Sequence, residues 1–191
     1  MSEIVVPTVY FEKPGRENTD RTLEIARDRA TQLSLEIVLV ATTTGATGAR
    51  AVEIFREQQV VVVTHSSGFP EPNVQELMPE YRATIEAGGG EVLTCQHAFG
   101  GVNRAVRKKM GTYLTDEIIA YTLRTFGQGT KVCLEIALMA ADAGLVRVGE
   151  PCVAVGGTGR GADTALVLIP ANAQTFFDLK VMEILAKPRL A

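Results

Sequence analysis

Short runs of aliphatic residues alternate along the chain with stretches in which apolar positions recur every three or four residues. This is the signature of strands alternating with helices. Residues 4–11 predict an opening strand, followed by a polar turn over residues 12–17. Asn18 or Thr19 is placed to cap the next helix, with Asp20 in its first turn, and Leu23, Ala26, Ala30 and Leu33 give that helix one apolar face. Residues 37–41 and 60–63 are unbroken aliphatic runs, the pattern of strands covered on both faces. Between them a threonine- and glycine-rich loop leads into a helix predicted from about residue 49 to 58. A long Gly-, Pro- and Ser-containing loop over residues 65–79 precedes a short helix at 80–87, a Gly88-Gly89-Gly90 stop and a strand at 91–95. Loops of that length in compact domains are commonly lids or binding loops. A glycine-containing turn over residues 97–103 follows. Residues 104–143 predict three helices broken near Gly111 and Gly127–Gly129, and the last is apolar nearly all round, which marks a buried helix. A strand at 152–155, a glycine-rich turn, a strand at 165–169 and an amphipathic tail ending in Lys187-Pro188 close the chain. The alternation predicts an α/β layered fold.

Composition narrows the picture. The 191 residues suit one domain spanning 1–191, and 46% hydrophobic with 21% charged residues is a globular balance. A net charge of −3 argues against a dedicated nucleic-acid or membrane-surface binder. An anionic ligand must therefore be held by local groups. Cys95, Cys133 and Cys152 are odd in number and lie in apolar stretches, which predicts reduced, buried thiols in a cytoplasmic protein. There is no basic region followed by an apolar run at the N-terminus, and no apolar segment is long enough to span a bilayer.

Two loops carry candidate chemistry. The first, Thr42-Thr43-Thr44-Gly45-Ala46-Thr47-Gly48, joins a buried strand to a helix. Such a turn opens at the carboxyl edge of a parallel sheet, where α/β proteins place ligands. Unpaired helix N-terminal amides, close backbone approach at glycine and threonine hydroxyls together suit a phosphate. The loop is neither a Walker A loop nor a dinucleotide fingerprint, and a ligand-free, threonine-capped turn is the alternative. The second loop is Gly156-Gly157-Thr158-Gly159-Arg160-Gly161-Ala162-Asp163-Thr164. A strand follows it where a dinucleotide motif requires a helix, so it reads either as a glycine-rich hairpin or as a binding loop. In the binding reading Arg160 donates to phosphate or a ring edge and Asp163 accepts from hydroxyls.

Other residues contribute less. His65 and His97 follow strands, where a cleft would open. With two histidines and no acidic or thiol cluster at ligand spacing, no metal site is expected. Glu135 on the apolar helix must be paired or protonated, and a structural partner such as an arginine is preferred to a catalytic role. Arg104, Arg107, Lys108 and Lys109 form a solvated helix face or greet an anion. No nucleophile–base–orienter set emerges from the spacing.

The order of strand, Thr42–Gly48 loop, helix and Val60-Val61-Val62-Val63-Thr64, with Val148-Gly149-Glu150 before the strand leading to Gly156-Gly157, resembles the C-terminal domain of pyruvate kinase. The segments Tyr10-Phe11-Glu12-Lys13-Pro14-Gly15-Arg16-Glu17-Asn18-Thr19, Lys131-Val132-Cys133-Leu134-Glu135, Met139-Ala140-Ala141-Asp142 and Arg160-Gly161-Ala162-Asp163-Thr164 are similar to those of stand-alone prokaryotic proteins bearing a pyruvate kinase alpha/beta domain. The resemblance implies a three-layer α/β/α sandwich with a mostly parallel sheet and one antiparallel strand. It also implies FMN as ligand, with Thr43, Thr44, Gly45, Ala46, Thr47 and Gly48 on the phosphate. Gly157, Arg160 and Asp163 would then lie against the ribityl chain or ring, and His97 or the His65 loop would cover the flavin. In pyruvate kinase the corresponding loops hold the phosphates of a sugar-bisphosphate effector. The kinase's catalytic barrel has no counterpart in this sequence, so pyruvate kinase activity is not expected.

Three functions stay open on the sequence: an FMN-binding protein, with or without oxidoreductase activity; a non-catalytic sensor of a phosphorylated metabolite; and a structural subunit whose loops are only turns. A homo-oligomer is compatible with each.

Overall fold

The computed structural model describes residues 3–189. Its elements in chain order are β1 (Val9–Phe11), α1 (Thr19–Gln32), β2 (Ile37–Ala41), α2 (Ala46–Ile54), β3 (Gln59–Val63), α3 (Pro79–Ala87), β4 (Glu91–Leu93), α4 (Val102–Met110), α5 (Thr115–Arg124), α6 (Gln128–Asp142), β5 (Cys152–Gly156), β6 (Thr164–Ile169) and β7 (Lys180–Pro188), with short 3-10 turns at Arg16–Asn18 and Ala173–Asp178. The seven strands form one open sheet in the order β1-β7-β6-β5-β2-β3-β4. All are parallel except β6, which runs antiparallel to both β5 and β7.

The aliphatic runs of the central strands follow from this placement. Successive side chains of a strand point to opposite faces, and here both faces are covered. Val38, Val40, Val60, Val62, Val153 and Val155 pack under α1, α2 and α3 with Leu23, Ala26, Val52 and Ile85. Leu39, Val61, Val63, Cys152 and Ala154 face α5 and α6 with Cys133, Ile136, Ala137 and Ala140. The result is the three-layer α/β/α sandwich with a single antiparallel strand that the resemblance implies.

Several boundaries differ from expectation, each for a physical reason. The opening strand is confined to Val9–Phe11: Pro7 has no amide proton for the ladder, and Ile4 and Val5 stand 87% and 85% exposed. The Asn18 side chain does not cap α1, because its amide donates back to the carbonyls of Lys13 and Gly15. Helix α2 starts three residues early, since Gly45 at φ 104° makes the left-handed turn that brings Ala46 into the helix. It also stops early, with Phe55 turning into the core at 3% exposure. The fourth strand ends at Leu93, two residues short of Cys95. The tail is not an appendage. It is β7, inserted between β1 and β6 and anchored to α1 by a bidentate Arg29–Glu183 pair at 2.8 and 2.6 Å.

Candidate functional site

Along the chain the strands proceed outward from β2 to β3 and β4, and then β5 returns to the other side of β2. The carboxyl ends of β2 and β5 therefore flank the point where strand order reverses, the place at which open α/β sheets leave a crevice. The crevice here is a cavity of about 640 Å³. Both glycine-rich loops line it, as do the segment around Arg16 and Thr19, the start of the loop after β3, and one face of α6.

The first loop is fixed by its neighbours. Thr42 pairs its amide with the Val63 carbonyl at 2.9 Å, and its hydroxyl accepts the Gly45 amide at 3.1 Å. Gly45 tolerates no side chain: a Cβ there would lie 2.5 Å from Cβ of Tyr81, on a backbone already at positive φ. Beyond it, the first-turn amides of Ala46, Thr47 and Gly48 find no acceptor among the described residues, as expected of a helix N-terminus awaiting an anion. Thr43, Thr44, Ala46 and Thr47 line the cavity. Gly48 does not. Its missing side chain lets α2 settle on Val62 and Ile85, where a Cβ would lie 2.6 and 2.9 Å from their methyl groups.

The second loop is drawn toward the first residues of α1. A Cβ on Gly161 would lie 2.5 Å from Cα of Arg16, the Ala162 amide donates to the Thr19 hydroxyl at 3.0 Å, and the Gly15 amide donates to Asp163 at 3.1 Å. Gly157 and Arg160 line the cavity. Asp163 has a different position from the one expected. It is fully buried beneath the loop, and its carboxylate accepts from the amides of Gly15 and Thr158 and from the Thr164 hydroxyl. It holds the loop in place and is not among the residues lining the cavity.

On the α6 side, Gln128, Val132, Glu135, Ile136 and Met139 form the wall. Arg124 donates to the Gln128 side-chain oxygen at 2.7 Å, which leaves the amide nitrogen of Gln128 as a spare donor. Glu135 is buried, and its partner is not an arginine. Lys131, one turn earlier, bonds its second oxygen, and the Phe99 amide donates to the first at 3.1 Å. Burial pushes the Lys131 ammonium below the usual lysine range, an effect partly offset by Glu135. His97 lies with its Nδ1 3.9 Å from Glu135 and accepts the Ser66 amide at Nε2 across 3.3 Å. Burial lowers its pKa to about 4 against the opposing pull of Glu135, so the ring is neutral with its proton on Nδ1.

Tyr81 and Gln128 belong to the wall without having been singled out in the sequence, and Arg16 and Thr19 join them without having been named there as ligand contacts. For Arg16 and Thr19 the signal was present in the segment around Gly15, but only the fold brings that segment to Gly161. The basic run divides: Arg107 pairs with Glu117 at 2.7 Å, Arg104 lies over the Phe69 ring at 4.9 Å, and Lys108 and Lys109 are exposed. Among the described residues no three His, Cys, Asp or Glu side chains gather as a metal site, and no helix is long and apolar enough to cross a membrane. Cys133 and Cys152 are buried and unpaired, with burial pushing the Cys152 thiol up to about 12, while Cys95 is half-buried.

Comparison with known proteins places the chain. The family described as pyruvate kinase, alpha/beta domain matches residues 20–168, and the chain belongs to that family. Among solved structures it is similar to two pyruvate kinase structures from Cryptosporidium parvum, at 12% and 13% identity with TM-scores of 0.43 and 0.40. The matches cover 80% and 83% of this chain and 22% and 23% of those chains. A cysteine synthase from Entamoeba histolytica is matched at 16% identity, with a TM-score of 0.31, over 65% of this chain and 44% of its own. The chain thus spans less than a quarter of the length of the pyruvate kinases it matches. Among the described residues there is one open sheet and no barrel.

Proposed function

We propose that this chain is a small-molecule-binding domain that holds FMN by its phosphate and has no pyruvate kinase activity. The observation carrying this reading is that the unpartnered amides at the start of α2 and the Arg160 loop line one cavity at the reversal of strand order. The cavity volume falls within the range of small-molecule sites. The residues fit the group at both ends. Ala46, Thr47 and the Thr43–Thr44 hydroxyls offer donors for a phosphate, and Val132, Ile136 and Met139 offer an apolar wall for a flat ring. Gln128 and Arg160 supply donors to ring-edge or chain oxygens. When bound, FMN would supply the redox chemistry, and the protein would supply orientation and the electrostatic setting.

Freshly purified protein is expected to be yellow and to release FMN on denaturation, checked by visible absorbance and mass spectrometry. Ala46→Glu, at an exposed first-turn position on the cavity, sets a carboxylate against the phosphate and should weaken FMN binding by about tenfold or more. Unchanged affinity in that variant would overturn the assignment of the loop.

A second reading rests on Arg16 and Arg160. Both line the cavity, and neither has a carboxylate partner among the described residues. Spare cations at the mouth suit a more highly charged phosphorylated metabolite, sensed without catalysis. A thermal-shift panel separates the two: stabilisation near 3 kcal/mol is expected when ligand stands at about a hundred times its dissociation constant. A shift by a sugar phosphate with none by FMN selects the sensor. We further propose a symmetric homo-oligomer in the reducing cytoplasm, consistent with the buried free thiols and testable by light scattering.

A further inference from the structure

Helix α4 is turned the opposite way from an ordinary surface helix. Such a helix buries an apolar stripe and leaves its charges in water. In α4 the stripe is Val102, Val106 and Met110, four residues apart along one face. Yet no residue of the helix is buried, and Val102 and Met110 stand 66% and 72% exposed. Two of its basic side chains are the ones engaged with the rest of the protein. Arg104 lies over the Phe69 ring at 4.9 Å, and Arg107 donates to Glu117 of α5 at 2.7 Å.

The linker and α5 continue this face. The rings of Tyr113 and Tyr121 meet edge to face with centroids 5.6 Å apart, while Arg107 lies over Tyr113 at 5.5 Å and Arg124 over Tyr121 at 5.1 Å. Both tyrosines, Ile118 and Phe126 are exposed. A run of exposed apolar groups rimmed by charge marks an interaction surface, and Tyr, Phe, Met and Arg are the residue types enriched at protein interfaces. The charge of this region is also its own. Residues 102–126 hold five cations and two carboxylates, a net +3 in a chain of net −3, so the remainder carries −6. Both carboxylates are occupied internally, Glu117 by Arg107 and Asp116 by the side-chain amide of Asn103. Lys108 and Lys109 are exposed, and neither has a carboxylate partner among the described residues.

Charge selects the occupant. A second copy seated face to face would set +3 against +3. Single-stranded nucleic acid stacks on open aromatic faces, and here guanidinium groups lie over both tyrosine rings. An anionic lipid surface draws on free cations beside an apolar helix face, and two of the four cations on α4 are turned to the protein. We infer that the α4–α5 face docks an acidic amphipathic helix of a partner protein, with its apolar ridge against Val102, Met110, Ile118 and the tyrosines and its carboxylates toward Lys108 and Lys109. An amphipathic helix laying its apolar face on an apolar surface is a recurring mode of recognition. The inference is independent of what the cavity holds.

Fluorescence anisotropy of the full chain with three labelled helical peptides tests it. The first carries leucines at helical spacing among glutamates, the second has glutamine for every glutamate, and the third has the first's composition with the leucines scrambled. The first is expected to bind about tenfold tighter than the second, and the third not to bind. Lys108→Glu with Lys109→Glu should cost the first peptide about tenfold, the factor of two exposed ion pairs, and leave the second unchanged. Met110→Ser with Ile118→Ser should weaken both. All four positions are exposed, so each variant should keep the wild-type melting midpoint. Binding of the scrambled peptide as tightly as the first, or of none of the three, overturns the inference. So does tighter binding to phosphatidylglycerol vesicles or to oligothymidylate, which names a lipid surface or a nucleic acid as the occupant. A dimer in light scattering that Met110→Lys dissolves overturns it in favour of a second copy.

Discussion

At the residue scale, Asp163 and His97 show how a polar side chain near a site can serve the frame. Asp163 satisfies two backbone amides and a hydroxyl with no solvent to replace it. Asp163→Ala strands the amides of Gly15 and Thr158, and should cost about 3 kcal/mol in urea unfolding, since each unsatisfied buried donor costs roughly 1–3 kcal/mol. His97 links the site to pH. Its folded value of about 4 lies below the 6.5 of a free imidazole, so its neutral form is no handicap to folding above 6.5. As pH falls below that value the unfolded chain takes up a proton that the folded chain refuses, and stability declines toward pH 4. Between pH 6.5 and roughly 5 the loss should approach 2 kcal/mol, and His97→Asn should flatten that part of the stability–pH profile measured by denaturant melts. The residue types of the two loops were legible in sequence because glycine and threonine act locally. The position of Asp163 was not, because its partners lie in Gly15 and its own hairpin, a juxtaposition 148 residues apart that no local pattern encodes.

At the element scale, α6 was legible as a buried helix from its lack of a polar face. Its Lys131–Glu135 pair was written in the i, i+4 spacing, although an arginine stood as the example of a partner. Removing one member alone leaves a stranded charge. Lys131→Met should therefore destabilise by about 3–5 kcal/mol, whereas adding Glu135→Gln should restore most of the loss. In that double variant the Gln oxygen can still accept the Phe99 amide. A double-mutant cycle by chemical denaturation checks both outcomes. Helix α2 was misplaced in sequence for the opposite reason. Ala46-Thr47-Gly48 holds two poor helix formers, so its first turn reads as loop until Gly45 is seen to make the left-handed corner. Strand β7 was missed because its first residues, Lys180 to Met182, are exposed and mask the buried half that follows.

At the scale of the whole molecule, the three-layer sandwich followed from alternation and from uninterrupted aliphatic strands, both of which survive without tertiary knowledge. Strand order, and with it the cavity between β2 and β5, came only from the fold. The segment from Gly15 to Thr19 reaches the loop at 161–163 over some of the longest separations in the chain, and β1 meets β7 across Val9 and Ala186. Contacts of such separation carry the largest closure cost and tend to form late in folding, whereas β2, α2 and β3 are joined by neighbouring segments. The cavity is therefore expected to be completed only near the end of the folding reaction, after a nucleus formed without it. A ligand that requires both loops has nothing to grip in the transition state. In stopped-flow experiments it should slow unfolding in proportion to its stabilisation and leave the refolding rate nearly unchanged. A bound molecule here would then act as a clasp on the finished chain, extending its lifetime without guiding its assembly.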